Sequence, residues 1–145
     1  MRRVAGIIGA GLVSGAAFLV AQTIDRSIVR NKVDDRVLLG RLLPVPPSRA
    51  TAFGTAMHLA NSVIFSTVFR LVGRDLLSGP MWWRGVVFAT VENTLLYPIA
   101  IFEDFHPALR DGQMDSFQSW TAFAQETWRH VVLGAVLGAL TPPED

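Results

Sequence analysis

Apolar residues fill three long stretches, Val4 to Ala21, Ala50 to Phe69 and Gly85 to Phe102, almost without charge. Each is about long enough to cross a hydrocarbon core of roughly 30 Å. Val4 to Ala21 is apolar on every side of a helix, which is tolerated only against lipid or deep within protein. A fourth run, closing at Leu140, is interrupted by Glu126, Arg129 and His130, as His58 interrupts the second and Glu92 the third. The pattern predicts an all-α protein. The expected architecture is a four-helix transmembrane bundle of up-down topology, one integral membrane domain over residues 1–145, with helices over about 4–23, 50–72, 82–102 and 118–140.

The connectors refine this picture. Arg26 to Arg49 carries six basic residues against two acidic ones, with Ile28, Val29, Val33, Val37, Leu38, Leu42 and Leu43 interspersed. Such a segment suits either an amphipathic helix lying on lipid headgroups or a solvated loop. Pro44-Val45-Pro46-Pro47 then redirects the chain, and Ser48 or Thr51 is placed to cap the second long helix. Ser78-Gly79-Pro80 breaks the chain again, and Trp82-Trp83-Arg84 has the aromatic and cationic character of the headgroup level. Pro98 predicts a kink near the end of the third long helix, Glu103 to Asp115 reads as a solvated acidic loop, and Pro142-Pro143 stops the last helix. Four crossings put both termini on one side. Lys and Arg in the first connector lean the topology toward termini outside.

Composition narrows the classes. The mean hydropathy is +0.36. A net charge of +1 supplies no basic field for phosphates, which argues against nucleic-acid binding. The absence of cysteine excludes disulfides, thiolate zinc sites and thiol catalysis. Met1-Arg2-Arg3 before an apolar run resembles the start of a secretory signal peptide, but the run is long and lacks an A-x-A cleavage site, so the first helix is expected to stay as a membrane anchor.

Small residues recur at four-residue spacing in Gly11-x-x-x-Gly15 and Gly134-x-x-x-Gly138, with Ala5/Gly9 and Ala52/Ala56/Ala60 extending the idea. In lipid such faces let helices approach closely, and packing within the chain is favoured over dimerisation. Gly9 to Gly15 also mimics the glycine loop of a dinucleotide-binding fold. That motif needs a strand before it and a second strand after the helix, and neither is present here.

With helices alternating in direction, His58 lies roughly 12 Å, His130 roughly 13 Å and Glu92 roughly 15 Å from the same membrane face. Glu126 and Arg129 are shallower, and Asp25 sits at the boundary. His58, Asn61 and Ser62 share one side of the second helix; Glu126, His130 and Gly134 share one side of the fourth. Charges at mid-bilayer demand partners, so the leading structural expectation is a Glu92–Arg129 ion pair. The polar set His58, Asn61, Glu92, Glu126, Arg129 and His130 either fixes helix register or lines a cavity that binds a small ligand or relays protons. A metal or haem held by His58 and His130 is a weaker alternative, because Glu126 and His130 lack the Glu-x-x-His spacing of di-iron bundles and Arg129 repels a cation. Ser62 and Ser66 should bond to their own helix's carbonyls rather than act as nucleophiles, Asn93 and Tyr97 should bond each other, and His106 belongs to a loop. No metal, cofactor or catalytic residue is expected. The expected partners are the lipid bilayer and, through the glycine faces, another membrane protein or a second copy.

Gly11 through Asp25-Arg26, Leu39-Gly40-Arg41-Leu42-Leu43, His58-Leu59-Ala60-Asn61, the Gly79-Pro80 turn, Glu92, and Arg129-His130 with Gly134 and Gly138 together give the chain a familiar look. It resembles small four-helix bacterial inner-membrane proteins of unknown function. That resemblance implies a bacterial inner-membrane location and carries no established activity or catalytic residue. The residues favour a non-enzyme, with an accessory or scaffolding subunit of a larger membrane complex as the rival class.

Overall fold

The computed structural model describes residues 2–43 and 45–142, so Pro44 and Pro143 lie outside the described residues, as do the side chains of Arg2 and Arg3. The described chain is all-helical: α1 (Arg2–Val29), α2 (Asp35–Gly40), α3 (Pro47–Val68), α4 (Arg74–Leu76), α5 (Met81–Leu96), α6 (Pro107–Arg110) and α7 (Trp120–Leu140). A π-helical turn, Phe69–Gly73, joins α3 to α4, and a 3₁₀ segment, Tyr97–Phe105, continues α5.

Three spans are long and apolar enough to cross a membrane: Val4–Val29, Pro47–Leu76 and Met81–Phe105. α7 is not among them. It carries Glu126 and Arg129 on a face that is buried in protein, so its own hydropathy need not match that of a helix bathed in lipid.

Residue pairs fix the directions of the long helices. Gly11 lies against Val63 and Gly15 against Leu59, so α1 and α3 are antiparallel. Gly85 meets Gly134 and Gly138 meets Met81, so α5 and α7 are antiparallel too. Asp25 reaches Arg129 across α1 and α7. The fourth side is only partly closed, by Phe88 of α5 stacking on Phe65 of α3 and on Phe69, with ring centroids 5.0 and 5.4 Å apart.

The helix faces follow a 3.6-residue period. α1 turns Ala10, Ser14, Phe18, Gln22 and Asp25 inward; α3 buries Gly54, His58, Ser62 and Ser66. Ala52, Ala56 and Ala60 are exposed, so the small stripe expected to pack on α3 faces outward instead. Glycine decides which helices touch at backbone distance. A Cβ on Gly85 would come within 2.1 Å of the Gly134 carbonyl oxygen, and one on Gly11 within 2.6 Å of the Val63 Cα. Gly9 has open space around it and serves no such contact.

Several boundaries differ from expectation. α1 runs on to Val29 and ends where Arg30 takes the left-handed φ of 59°. Pro46 precedes α3, and neither Ser48 nor Thr51 caps it. The 3₁₀ segment begins at Tyr97 beside Pro98, which has no N–H to continue the α-helical ladder. α7 starts at Trp120 with the Ser119 hydroxyl accepting from Ala122 N–H at 3.1 Å, rather than near Ser116.

The first and third connectors, expected at the headgroups or in water, fold onto each other. Val33, Ala108, Met114, Phe117 and Ala122 form a small buried core between them. The Glu103 carboxylate accepts from Ser116 Oγ at 2.5 Å and Phe117 N–H at 2.7 Å, and Arg41 pairs with Asp111 at 2.5 Å. α2 is pressed on the start of α3, where a Cβ on Gly54 would fall within 1.7 Å of the Arg36 carbonyl oxygen. His106 joins this end: its Nδ1 accepts from Ala108 N–H at 3.2 Å, so Nε2–H donates to Leu38 O at 3.0 Å. Burial holds this imidazole below its usual pKa, with the neighbouring Arg41 charge adding to the shift.

Candidate functional site

Arg129 organises the polar interior and has no solvent exposure. Its Nε and Nη2 grip the Asp25 carboxylate, both at 2.7 Å. Nη1 donates to Glu126 Oε1 at 2.5 Å and, more weakly, to Gln22 Oε1 at 3.4 Å; Nη2 also reaches Val33 O at 3.2 Å. All five guanidinium N–H groups therefore have acceptors, which is what a fully buried arginine needs. The expected Glu92–Arg129 pair does not form. One polar layer was expected to bring the two together, but Asp25 and Glu126 are the acids that reach Arg129.

The cluster extends through Gln22 to the first connector. Gln22 Nε2 donates to Asp34 Oδ1 at 2.9 Å, and Gln22 Oε1 accepts from Asp35 N–H at 3.0 Å. Gln125 Nε2 donates to Asp25 Oδ1 at 2.7 Å. Asp34 caps α2 and accepts from Arg36 Nε at 3.0 Å and Nη2 at 2.9 Å, with Arg26 as a second cation. Burial alone would raise the Asp34 carboxyl, but its hydrogen bonds and charge contacts with Arg36 and Arg26 outweigh that and hold it below the usual aspartate range.

A second constellation faces a cavity of about 650 Å³ between α3 and α5. His130 Nδ1 lies 2.7 Å from the Glu126 carbonyl oxygen and so carries a hydrogen, while Nε2 lies 3.3 Å from Glu92 Oε2. His58 stacks on Phe18 with ring centroids 4.6 Å apart, and His130 meets the edge of the same ring at 5.2 Å. Both histidine rings contact Phe18. Among the described residues no three His, Asp or Glu side chains converge as a metal-holding group.

His58, Asn61, Glu92, Glu126 and His130 all line the cavity, and Arg129 sits behind the wall, sealed from it. His58 is buried with its Nε2 unpartnered, and Asn61 lies at the exposed edge. Apolar Leu96, Ile99 and Phe102 form the outer lining and are more than half exposed. Among the described residues, four carboxyl groups line the cavity, Asp35, Glu92, Glu103 and Glu126, and no lysine or arginine does.

Other local expectations divide. Ser62 Oγ donates to His58 O at 2.8 Å within its helix, whereas Ser66 Oγ crosses to Ile7 O of α1 at 3.0 Å. Tyr97 donates to Phe117 O at 2.5 Å and Asn93 to Thr127 Oγ1 at 3.2 Å, so the two do not bond each other as expected. Sequence reasoning missed Gln22, Asp34, Asp35 and Gln125 as members of the polar interior. The readable signal was Gln22 and Asp25 continuing the Ser14–Phe18 face of α1.

Comparison with protein-family models, with curated proteins and with solved structures gives no match for this chain. Any functional reading therefore rests on the geometry above.

Proposed function

We propose that this chain is a four-helix transmembrane bundle of a bacterial inner membrane whose cavity takes up a small amphipathic molecule with a neutral or positively charged head. The observation that carries this is the lining of the cavity. Carboxyl groups and His58 lie on the inner wall, Asn61 at the exposed edge, and Leu96, Ile99 and Phe102 toward the outside. A volume of about 650 Å³ falls within the range of small-molecule sites. The absence of Lys and Arg from the described lining disfavours an anionic head. In this reading α7 is the fourth crossing, its charges satisfied by α1 rather than by water.

An accessory or scaffolding role is the second reading. The Gly11–Gly15 and Gly134–Gly138 faces are already occupied within the chain, by Val63 against Gly11 and by Gly85 against Gly134, which favours the ligand over the scaffold. Native mass spectrometry in mild detergent tests the proposal with dodecylamine and lauric acid, two probes of equal tail and opposite charge. Dodecylamine should form a one-to-one adduct that lauric acid does not match, and Asn61→Trp, placed at the cavity edge, should weaken it at least tenfold. Absence of the adduct, or an adduct indifferent to Asn61→Trp, overturns the reading.

A further inference from the structure

We propose that Asp35 holds a proton that it shares with Glu126, making this carboxyl pair a proton-binding site at the wall of the cavity. One connected cluster, buried at its acids and at Arg129 and half-buried at Arg26 and Arg36, carries an unequal count of charges. Its cations are Arg26, Arg36 and Arg129; its acids are Asp25, Asp34, Asp35 and Glu126. Asp34 takes Arg26 and Arg36, and Asp25 and Glu126 take Arg129 at hydrogen-bond distance. Asp35 is left over. Its carboxyl lies 4.0 Å from Arg129 Nη1, outside hydrogen-bond range, and meets the Glu126 carboxyl instead. Two carboxyl groups bond only when one of them carries a hydrogen, and one proton brings four acids and three guanidinium groups to balance. An unbalanced charge at this depth is expensive to bury.

The surroundings pull both ways: Arg129, His130, His58 and Arg36 favour the ionised Asp35, whereas burial, Asp34 and Glu126 favour the protonated form. From α7, Arg129 and His130 face Asp35 along with Glu126; from α3, His58 does; Asp34 is its neighbour in sequence. Asp25 of α1 and Tyr97 of the 3₁₀ segment stand within electrostatic reach of Glu126. Glu92 of α5 reaches the group through His130. Burial holds the Asp35 carboxyl above the usual aspartate range, against the pull of Arg129. Asp35 and Glu126 both line the cavity while Asp25 and Arg129 do not, so the proton exchanges through that space. This site stands whether or not an amphiphile occupies the cavity.

Infrared spectroscopy of the full-length protein in detergent tests the inference, because a protonated carboxylic acid has a C=O band clear of the amide and carboxylate bands. The band should be present at neutral pH and shift on exchange into heavy water. It should disappear in both Asp35→Asn and Glu126→Gln, each of which restores charge balance without a proton, and survive in Glu92→Gln. Absence of the band in the unsubstituted protein overturns the inference even if no variant folds. So does a band that persists in Asp35→Asn and Glu126→Gln, or one that vanishes in Glu92→Gln, which would assign the proton to the His130 pair.

Discussion

Toward α1, helix α7 presents Gln125 and Arg129; toward α5, it presents Gly134 and Gly138. The first contact is built from hydrogen bonds between long polar side chains, the second from backbone laid on backbone with no side chain between. Lipid explains why both are used. Apolar side chains gain little by leaving acyl chains for one another, so association rests on polar groups with no better partner or on close van der Waals contact. The polar contact specifies direction and register, since a bidentate arginine fits one carboxylate in one geometry. The glycine contact specifies distance alone.

Removing the arginine breaks the comparison hardest. Arg129→Met should destabilise the protein by about 3–5 kcal/mol, because Asp25 and Glu126 lose their cation while remaining buried. Thermal unfolding in detergent should show this as a large fall in midpoint or as loss of folded material. A fall below about 1 kcal/mol would mean that the acids find water or protons at little cost.

The glycine contact should yield next. Gly85→Ala places a methyl group within 2.1 Å of the Gly134 carbonyl oxygen, which has no flexible end to move aside, and should cost about 1–3 kcal/mol. Gly6→Ala is the control: nothing lies within 4 Å of where its methyl group would stand, and helix propensity should make it neutral or stabilising by under about 1 kcal/mol. Equal effects at the two positions would show that propensity, not contact, governs both.

Acid and base sharpen the distinction with the smallest expected effect. Asp34 is held below the usual range, so its contribution is present above 3.8 and is lost as pH falls through its lower folded value. Asp35 is held above that range, so its contribution is full below 3.8 and fades as pH rises through its higher folded value. Unfolding midpoints measured against pH should therefore respond with opposite slopes to Asp34→Asn and Asp35→Asn. Gly85→Ala should leave the profile's shape unchanged.

The long helices were legible because hydrophobic length is a one-dimensional property, and α1, α3 and α5 each show it in their own residues. His58, Glu92 and His130 line one cavity. Direction around the axis was not legible. Depth alone could not tell Arg129 that Asp25 was nearer than Glu92, nor could small size say that Ala52, Ala56 and Ala60 face outward while Gly54, His58 and Ser62 face in. The connectors were hardest to read. Asp34 and Asp35 look like solvated charges until α2 is laid on α3, and that placement depends on glycines at 40 and 54 rather than on the acids themselves.

Asp25 and Arg129 stand 104 positions apart. During synthesis the first helix is complete long before the arginine exists, so its carboxylate spends most of the chain's growth without its eventual counterion. The last helix thus completes the first, and a polypeptide truncated ahead of residue 129 leaves every earlier apolar segment intact while withholding the one cation that closes the interior.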